Sequence, residues 1–167
     1  RLHMVQALCQ AGEITQADRR FESLLARMPT HRALALSYAR VLGERNTRDS
    51  GIRAVAVLRP LLGSAGNDPL FQQAYARANE IAGDDGRAGE AWAEAAYLGG
   101  RPEQALVQLN NLKKRATLDY YARSRIEARI AAITPTVLEL RRQGIKDGEA
   151  TGRLGVGVRA GGAGRTR

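Results

Sequence analysis

Residues 83–109 read GDDGRAGEAWAEAAYLGGRPEQALVQL and carry one short motif twice. Gly83 is followed five residues on by Ala88 and four further by Trp92, and Gly100 is followed in the same way by Ala105 and Leu109. Outward from this stretch, a third copy stands at Gly12, Ala17 and Phe21. A less regular one at Ala54 and Leu58 has no glycine at the matching place. The physics of the pattern is that of a helical hairpin. A glycine lets the chain leave one helix, a small alanine lets the next helix approach, and a bulky residue one turn later fills the space between.

Each copy resembles the inner turn and second helix of a tetratricopeptide (TPR) unit. The expected fold class is therefore all-α, a TPR-like solenoid of antiparallel helix pairs over residues 1–143, followed by a disordered tail over 144–167. Such stacks bind partners rather than perform chemistry. Apolar periodicity places helices near 2–10, 14–28, 31–44, 50–62, 69–82, 86–98, 101–115 and 118–133. Asn67-Asp68-Pro69 offers an N-cap acid before a proline at the first helical position, and Pro102 repeats the device. Thr117, followed by Asp119, is a candidate cap for the helix of Tyr120 and Tyr121. Pro135 is expected to stop that helix near Thr134, with a short amphipathic piece from Thr136 to Gln143 after it. A longer loop is expected over Thr47–Gly51. Gly83 and Gly100 lie half a TPR period apart, so the pairing of helices between 83 and 105 stays open.

Composition fits this reading. Of the 167 residues 44% are hydrophobic but only 5% aromatic, as in an Ala- and Leu-rich helical protein. No stretch approaches the roughly 18 apolar residues of a membrane span. The chain opens on Arg1 with helical apolar spacing (Leu2, Val5, Leu8, Cys9) already under way, which is expected of an N-terminally truncated first helix. Fraying or self-association is expected at that end. Cys9 is the only cysteine, which excludes an internal disulfide and a thiolate cluster, and its apolar neighbours make it a packing residue.

The net charge of +9 is unevenly spread: residues 141–167 hold seven Lys/Arg against Asp147 and Glu149, which leaves +4 interspersed over the first 140. That is a solvated surface rather than a phosphate-tracking stripe, so nucleic acid is not the expected partner. The tail itself has eight glycines from Gly144 onward and no aromatic residues, a composition that cannot bury enough surface to offset its ordering entropy.

A more specific resemblance rests on residues 93–133, AEAAYLGGRPEQALVQLNNLKKRATLDYYARSRIEARIAAI, and on LALSYARVLGERN followed by AVAVLRPLL. These are similar to the TPR region of the periplasmic HExxH zinc metallopeptidases typified by the beta-barrel assembly-enhancing protease, down to a last helix that reads Tyr121-x3-Arg125-Ile126-x2-Arg129-Ile130. The resemblance implies a periplasmic protein in which a zinc peptidase domain precedes a TPR domain. The TPR domain would engage outer-membrane assembly machinery or its misassembled clients, as quality control. This chain corresponds to the second part alone. The zinc motif needs two histidines four residues apart with a glutamate between, whereas His3 and His31 stand far apart and neither has a glutamate beside it. The expected cofactor set of this chain is therefore empty, with zinc only in a peptidase domain outside it. There is also no Gly-x-Ser-x-Gly elbow and no phosphate loop. The chain is expected not to be an enzyme and to take no small-molecule substrate.

Binding is expected in the groove lined by the first helix of each pair. If Ala39 and Ala76 are the small packing residues, Arg40 and Arg77 point into that groove, with Gln73 one turn before Arg77 and Gln6 at the corresponding place in the first repeat. Two arginines on adjacent repeats suit a carboxylate or backbone carbonyl of an extended peptide or protein segment. The plainer reading pairs each with Glu44 or Glu80. Phe21, Tyr38, Tyr75 and Trp92 are expected in the core, and of Tyr120 and Tyr121 one buried and one exposed. A stand-alone TPR adaptor without any attached enzyme is the alternative.

Overall fold

A computed structural model describes residues 2–115 and 117–149, with the side chains of 2, 3 and 5–9 outside the description. The described residues are helical throughout, with no strand. In order they form α1 (Leu2–Arg27), α2 (Arg32–Glu44), α3 (Arg48–Leu58), a 3₁₀ turn (Arg59–Leu61) leading into the short α4 (Leu62–Ala65), α5 (Pro69–Ala82), α6 (Asp85–Leu98), α7 (Pro102–Lys113) and α8 (Tyr120–Arg142).

The helix starts follow capping chemistry. Thr47 and Ser50 form a reciprocal capping box at α3, Asp68 accepts from the Leu70 N–H ahead of Pro69, Asp84 caps α6 through the Arg87 N–H and Asp119 caps α8 through the Ala122 N–H. Each satisfies an amide that the helix itself cannot. At α8 the cap is Asp119, not Thr117. His31 caps α2 by accepting from the Leu34 N–H through Nδ1, a structural role for one of the two histidines.

Two of the three glycine motifs are turns. Gly83 and Gly100 both take positive φ, 84° and 78°, while Ala88 and Ala105 behind them are buried. Gly12 is not a turn: α1 runs through it and joins the two helices expected at 2–10 and 14–28. The reason is local. Gly83 is followed by a capping aspartate and Gly100 by Arg101-Pro102, so each offers a restart signal, whereas Glu13-Ile14-Thr15 offers none. Thr15 instead donates back to the Ala11 carbonyl at 2.9 Å, within the same helix.

The other boundaries also moved. The loop expected over Thr47–Gly51 is the first turn of α3, because Thr47 and Ser50 cap it, and the helix expected to Leu62 gives way at Leu58 to the 3₁₀ turn carrying Pro60. Pro135 does not end α8, which continues to Arg142. An interior proline costs about 3 kcal/mol. Here Ile133 and Val137 on either side are both fully buried, so ending the helix would forfeit a core residue. Ala131, whose carbonyl loses its partner, is exposed, leaving that oxygen to water.

Packing is largely between neighbours in sequence, with the most extensive contacts between α5 and α6, α6 and α7, α3 and α5, and α2 and α3. Tyr38, Leu42, Leu58, Leu61, Phe71 and Ala76 form one core, and Ala105, Leu109, Ile126, Ile133 and Val137 a second. The alanine-rich α6 faces both, giving Ala91 to the first and Ala93 and Ala96 to the second. α8 is fastened to α6 by two bidentate pairs one turn apart, Arg125 with Glu90 and Arg129 with Glu94, and Arg129 also lies 4.8 Å from the Tyr97 ring centroid. Tyr38 and Tyr75 are buried, Phe21 and Trp92 half-buried. Tyr120 and Tyr121 are both exposed, because the buried position of the first turn of α8 is Ala122; their rings rest edge to face on each other.

The segment after α8 turns back onto the fold. Arg101 gives α7 no side-chain cap, and the Asp147 carboxylate takes that place, accepting from the Glu103 and Gln104 N–H groups at 3.1 and 2.9 Å. The Gly148 N–H donates to the Gly100 carbonyl beside it. Residues 150–167 of the expected tail lie outside the described residues. Asp147→Ala should therefore lower stability by about 0.5–2 kcal/mol, the usual worth of an N-cap, measured by urea unfolding. The same change at Glu149, whose carboxylate accepts from the nearby Lys146 N–H, should have little effect.

Candidate functional site

α2 and α5 run side by side in the same direction. At their beginnings Arg32 pairs with Asp68 at 3.1 Å, and near their ends Gly43 faces Ile81, whose Cδ1 lies 3.6 Å from where a Cβ on that glycine would stand. Between them is an open groove of ≈ 410 Å³. Its floor is apolar, from Leu36, Ala39 and Gly43 on one side and Ala74, Ala78 and Ile81 on the other, and Arg40, Glu44 and Arg77 stand at its edges. The spacing is helical on both sides, and Gly43, without a side chain, leaves the floor open toward Ile81.

The structure thus brings Arg40 and Arg77 to one groove. Gln73 is exposed on α5 but does not line it, because it lies a quarter-turn off the Ala74–Arg77–Ile81 stripe. The side chain of Gln6 lies outside the described residues. Arg77 has a loose partner in Glu80, 3.6 Å away and three residues on. The other oxygen of that carboxylate is taken by the Trp92 indole N–H at 2.6 Å. Arg40 has no hydrogen-bond or ion-pair partner among the described residues and is exposed. An unengaged guanidinium beside an apolar floor can take a carboxylate or a peptide carbonyl while the floor takes an aliphatic side chain.

Sequence reasoning missed Gly43 and Ile81, and named Glu44 only as a partner for Arg40, with which it forms no pair here. The signal was present: Leu36, Arg40 and Gly43 fall at i, i+4 and i+7, as do Ala74, Ala78 and Ile81. Among the described residues no group of three or more His, Cys, Asp and Glu is placed to hold a metal, and no helix is long and apolar enough to cross a membrane. In comparisons with known proteins, no family model, no curated protein and no solved structure matches this chain.

Proposed function

We propose that this chain is a protein-interaction module of the TPR type, which holds an extended peptide or a segment of a protein partner in the groove between α2 and α5. The observation that carries the reading is the apolar-floored groove with the unengaged Arg40 at its edge and the loosely held Arg77 beside it. An aliphatic side chain of the occupant fills the floor, and a carboxylate bridges the two guanidinium groups. The sequence resemblance of residues 93–133 supports a wider role, as the non-catalytic arm that presents partners or clients to a periplasmic zinc metallopeptidase in outer-membrane protein quality control. On that reading zinc and the peptide-cleaving groups belong to the other domain, and this chain contributes recognition alone.

Fluorescent aliphatic peptides ending in a free carboxylate test the groove, with the same peptides amidated as controls. The free acids should bind, and Arg40→Ala with Arg77→Ala should weaken them about tenfold or more, the scale of one lost charge-assisted contact. Gly43→Leu, which fills the floor against Ile81, should also abolish binding, while deletion of 150–167 should not. Binding that survives both groove variants, or that falls steeply with salt and vanishes with the tail, would overturn the groove reading. The wider role is tested by reading the coding region upstream of Arg1. An in-frame HExxH helix behind a signal peptide supports it, and a nearby start codon with neither supports a stand-alone adaptor.

A further inference from the structure

The two groove arginines are kept available in different ways. Arg40 has Glu44 four residues on, and the two form no pair here. Arg77 has Glu80 three residues on, the spacing at which an arginine and a carboxylate on one helix usually meet. A charge-assisted hydrogen bond would bring them to about 2.7–2.9 Å. The pair between Arg77 Nη1 and Glu80 Oε2 stands at 3.6 Å instead, too long for a hydrogen bond.

Trp92 accounts for that distance. Its indole N–H donates to Glu80 Oε1 at 2.6 Å, across the hairpin that α5 and α6 make. The Trp92 ring is half-buried against the first core, so packing fixes the donor, and such an N–H needs an acceptor. Helix geometry sets the direction of the pull. Glu80 lies roughly 60° further round α5 than Arg77, on the side away from Ala74, Ala78 and Ile81. Its carboxylate is therefore drawn toward α6 and not over the groove. Glu80 and Trp92 do not line the groove; they stand behind the arginine that does.

We propose that Trp92 and Glu80 form a positioning pair that sets how tightly the groove takes an acidic ligand. The proposal rests on the peptide-binding reading of that groove. Trp92 holds one oxygen of Glu80, so the carboxylate backs Arg77 loosely and the guanidinium donors stay open to the occupant. Without the indole N–H, Glu80 closes on Arg77 as an ordinary i, i+3 pair and competes with the ligand. Without the Glu80 charge, that competition ends, and so does the repulsion between two carboxylates around one guanidinium. Trp92 acts on binding through Glu80, and Glu80 through Arg77.

Titration of the fluorescent free-acid peptides into variants separates this role from packing. Trp92→Phe keeps a ring against the core and removes the donor. It should weaken binding about threefold, the scale of one exposed ion pair. Glu80→Gln keeps an acceptor for Trp92, removes the charge and should tighten binding about threefold. The double variant should bind like Glu80→Gln, because Trp92 then has no charge left to restrain. In an Arg77→Ala background neither substitution should matter, and helicity should be unchanged throughout. A Trp92→Phe loss that persists beside Glu80→Gln would mark Trp92 as a packing residue. A Glu80→Gln protein that binds no tighter would show that Glu80 does not compete. Either result overturns the proposal and leaves the groove reading standing, whereas a wild type that does not take the free acids overturns both.

Discussion

Asp18→Ala should destabilise the protein by about 2–3 kcal/mol, one of the two largest effects expected of a single substitution here. Asp18 is only 8% exposed. Its carboxylate accepts two hydrogen bonds from Arg45, at 2.9 and 2.5 Å, and one from Arg53 at 3.1 Å. Arg53 also donates to Glu22 and to the Tyr38 hydroxyl, which itself donates to Glu22. The cluster ties α1 to α2 and α3, and α1 has little else to hold it. Removing the carboxylate leaves two guanidinium groups facing each other with their shared acceptor gone. A fully buried pair broken this way costs about 3–5 kcal/mol, and the lower figure here allows for the water that both arginines still reach.

The same cluster sets the pH limits of stability. Hydrogen bonding from Arg45 holds the Asp18 carboxyl below its ordinary value of 3.8. The stability it contributes is present above that value and is lost as pH falls through the lowered one. Burial, and next the Asp18 charge, push the Tyr38 hydroxyl from 10.0 up to about 12. That contribution is complete below pH 10 and is lost as pH rises toward 12. Urea unfolding of the wild type should show both limbs. Asp18→Asn should flatten the acid limb, and Tyr38→Phe the alkaline one. A pH profile unchanged by Asp18→Asn would mean that the cluster does not fasten α1.

The contrast between what the sequence announced and what it did not follows from the range of the interactions. The cap at Asp68 and the turns at Gly83 and Gly100 are decided within five residues, so they were legible, whereas the Asp84 cap was not singled out and the cap of α8 fell to Asp119 rather than Thr117. Gly12 and Pro135 were misjudged for opposite reasons. At Gly12 a breaker acts only if a restart signal follows it, and none does. At Pro135 a breaker is overridden by Ile133 and Val137, whose burial depends on residues in α7 far away in sequence. The Asp18–Arg45–Arg53 cluster and the Asp147 cap on α7 join residues 27 to 44 positions apart, and nothing local marks them. Arg40 and Arg77 came to one groove because each directly follows a buried alanine, Ala39 and Ala76, on helices that lie side by side. Gln73, judged by the same register, fell just outside it.

Gly51→Ala should have an effect of the opposite sign from the one its helix position suggests. Within an exposed helix, glycine to alanine stabilises by about 1 kcal/mol, and Gly63→Ala, with no atom within 4 Å of its added Cβ, is the control that should show a gain. Gly51 lies in the first turn of α3 where that helix crosses the end of α5. A Cβ there would run into the backbone nitrogen of Ala82, and would lie 2.6 Å from the Ile81 carbonyl carbon and 2.8 Å from its Cγ2. The obstacle is backbone, which cannot rotate aside as a side chain can, so α3 and α5 must separate. Doing so loosens the contact around Ala54, Leu58 and Ala78 in the first core. The expected cost is about 2–4 kcal/mol, at or above the usual range for overpacking, or a fall of roughly 5–12 °C in Tm for a chain of this size. Gly51→Val should leave too little folded protein to measure. The displaced end of α5 carries Ile81 and Arg77, so Gly51→Ala should also weaken peptide binding, although Gly51 does not line the groove. A Gly51→Ala protein as stable as wild type would show that α3 and α5 do not approach this closely, and the groove geometry built on α5 would have to be redrawn.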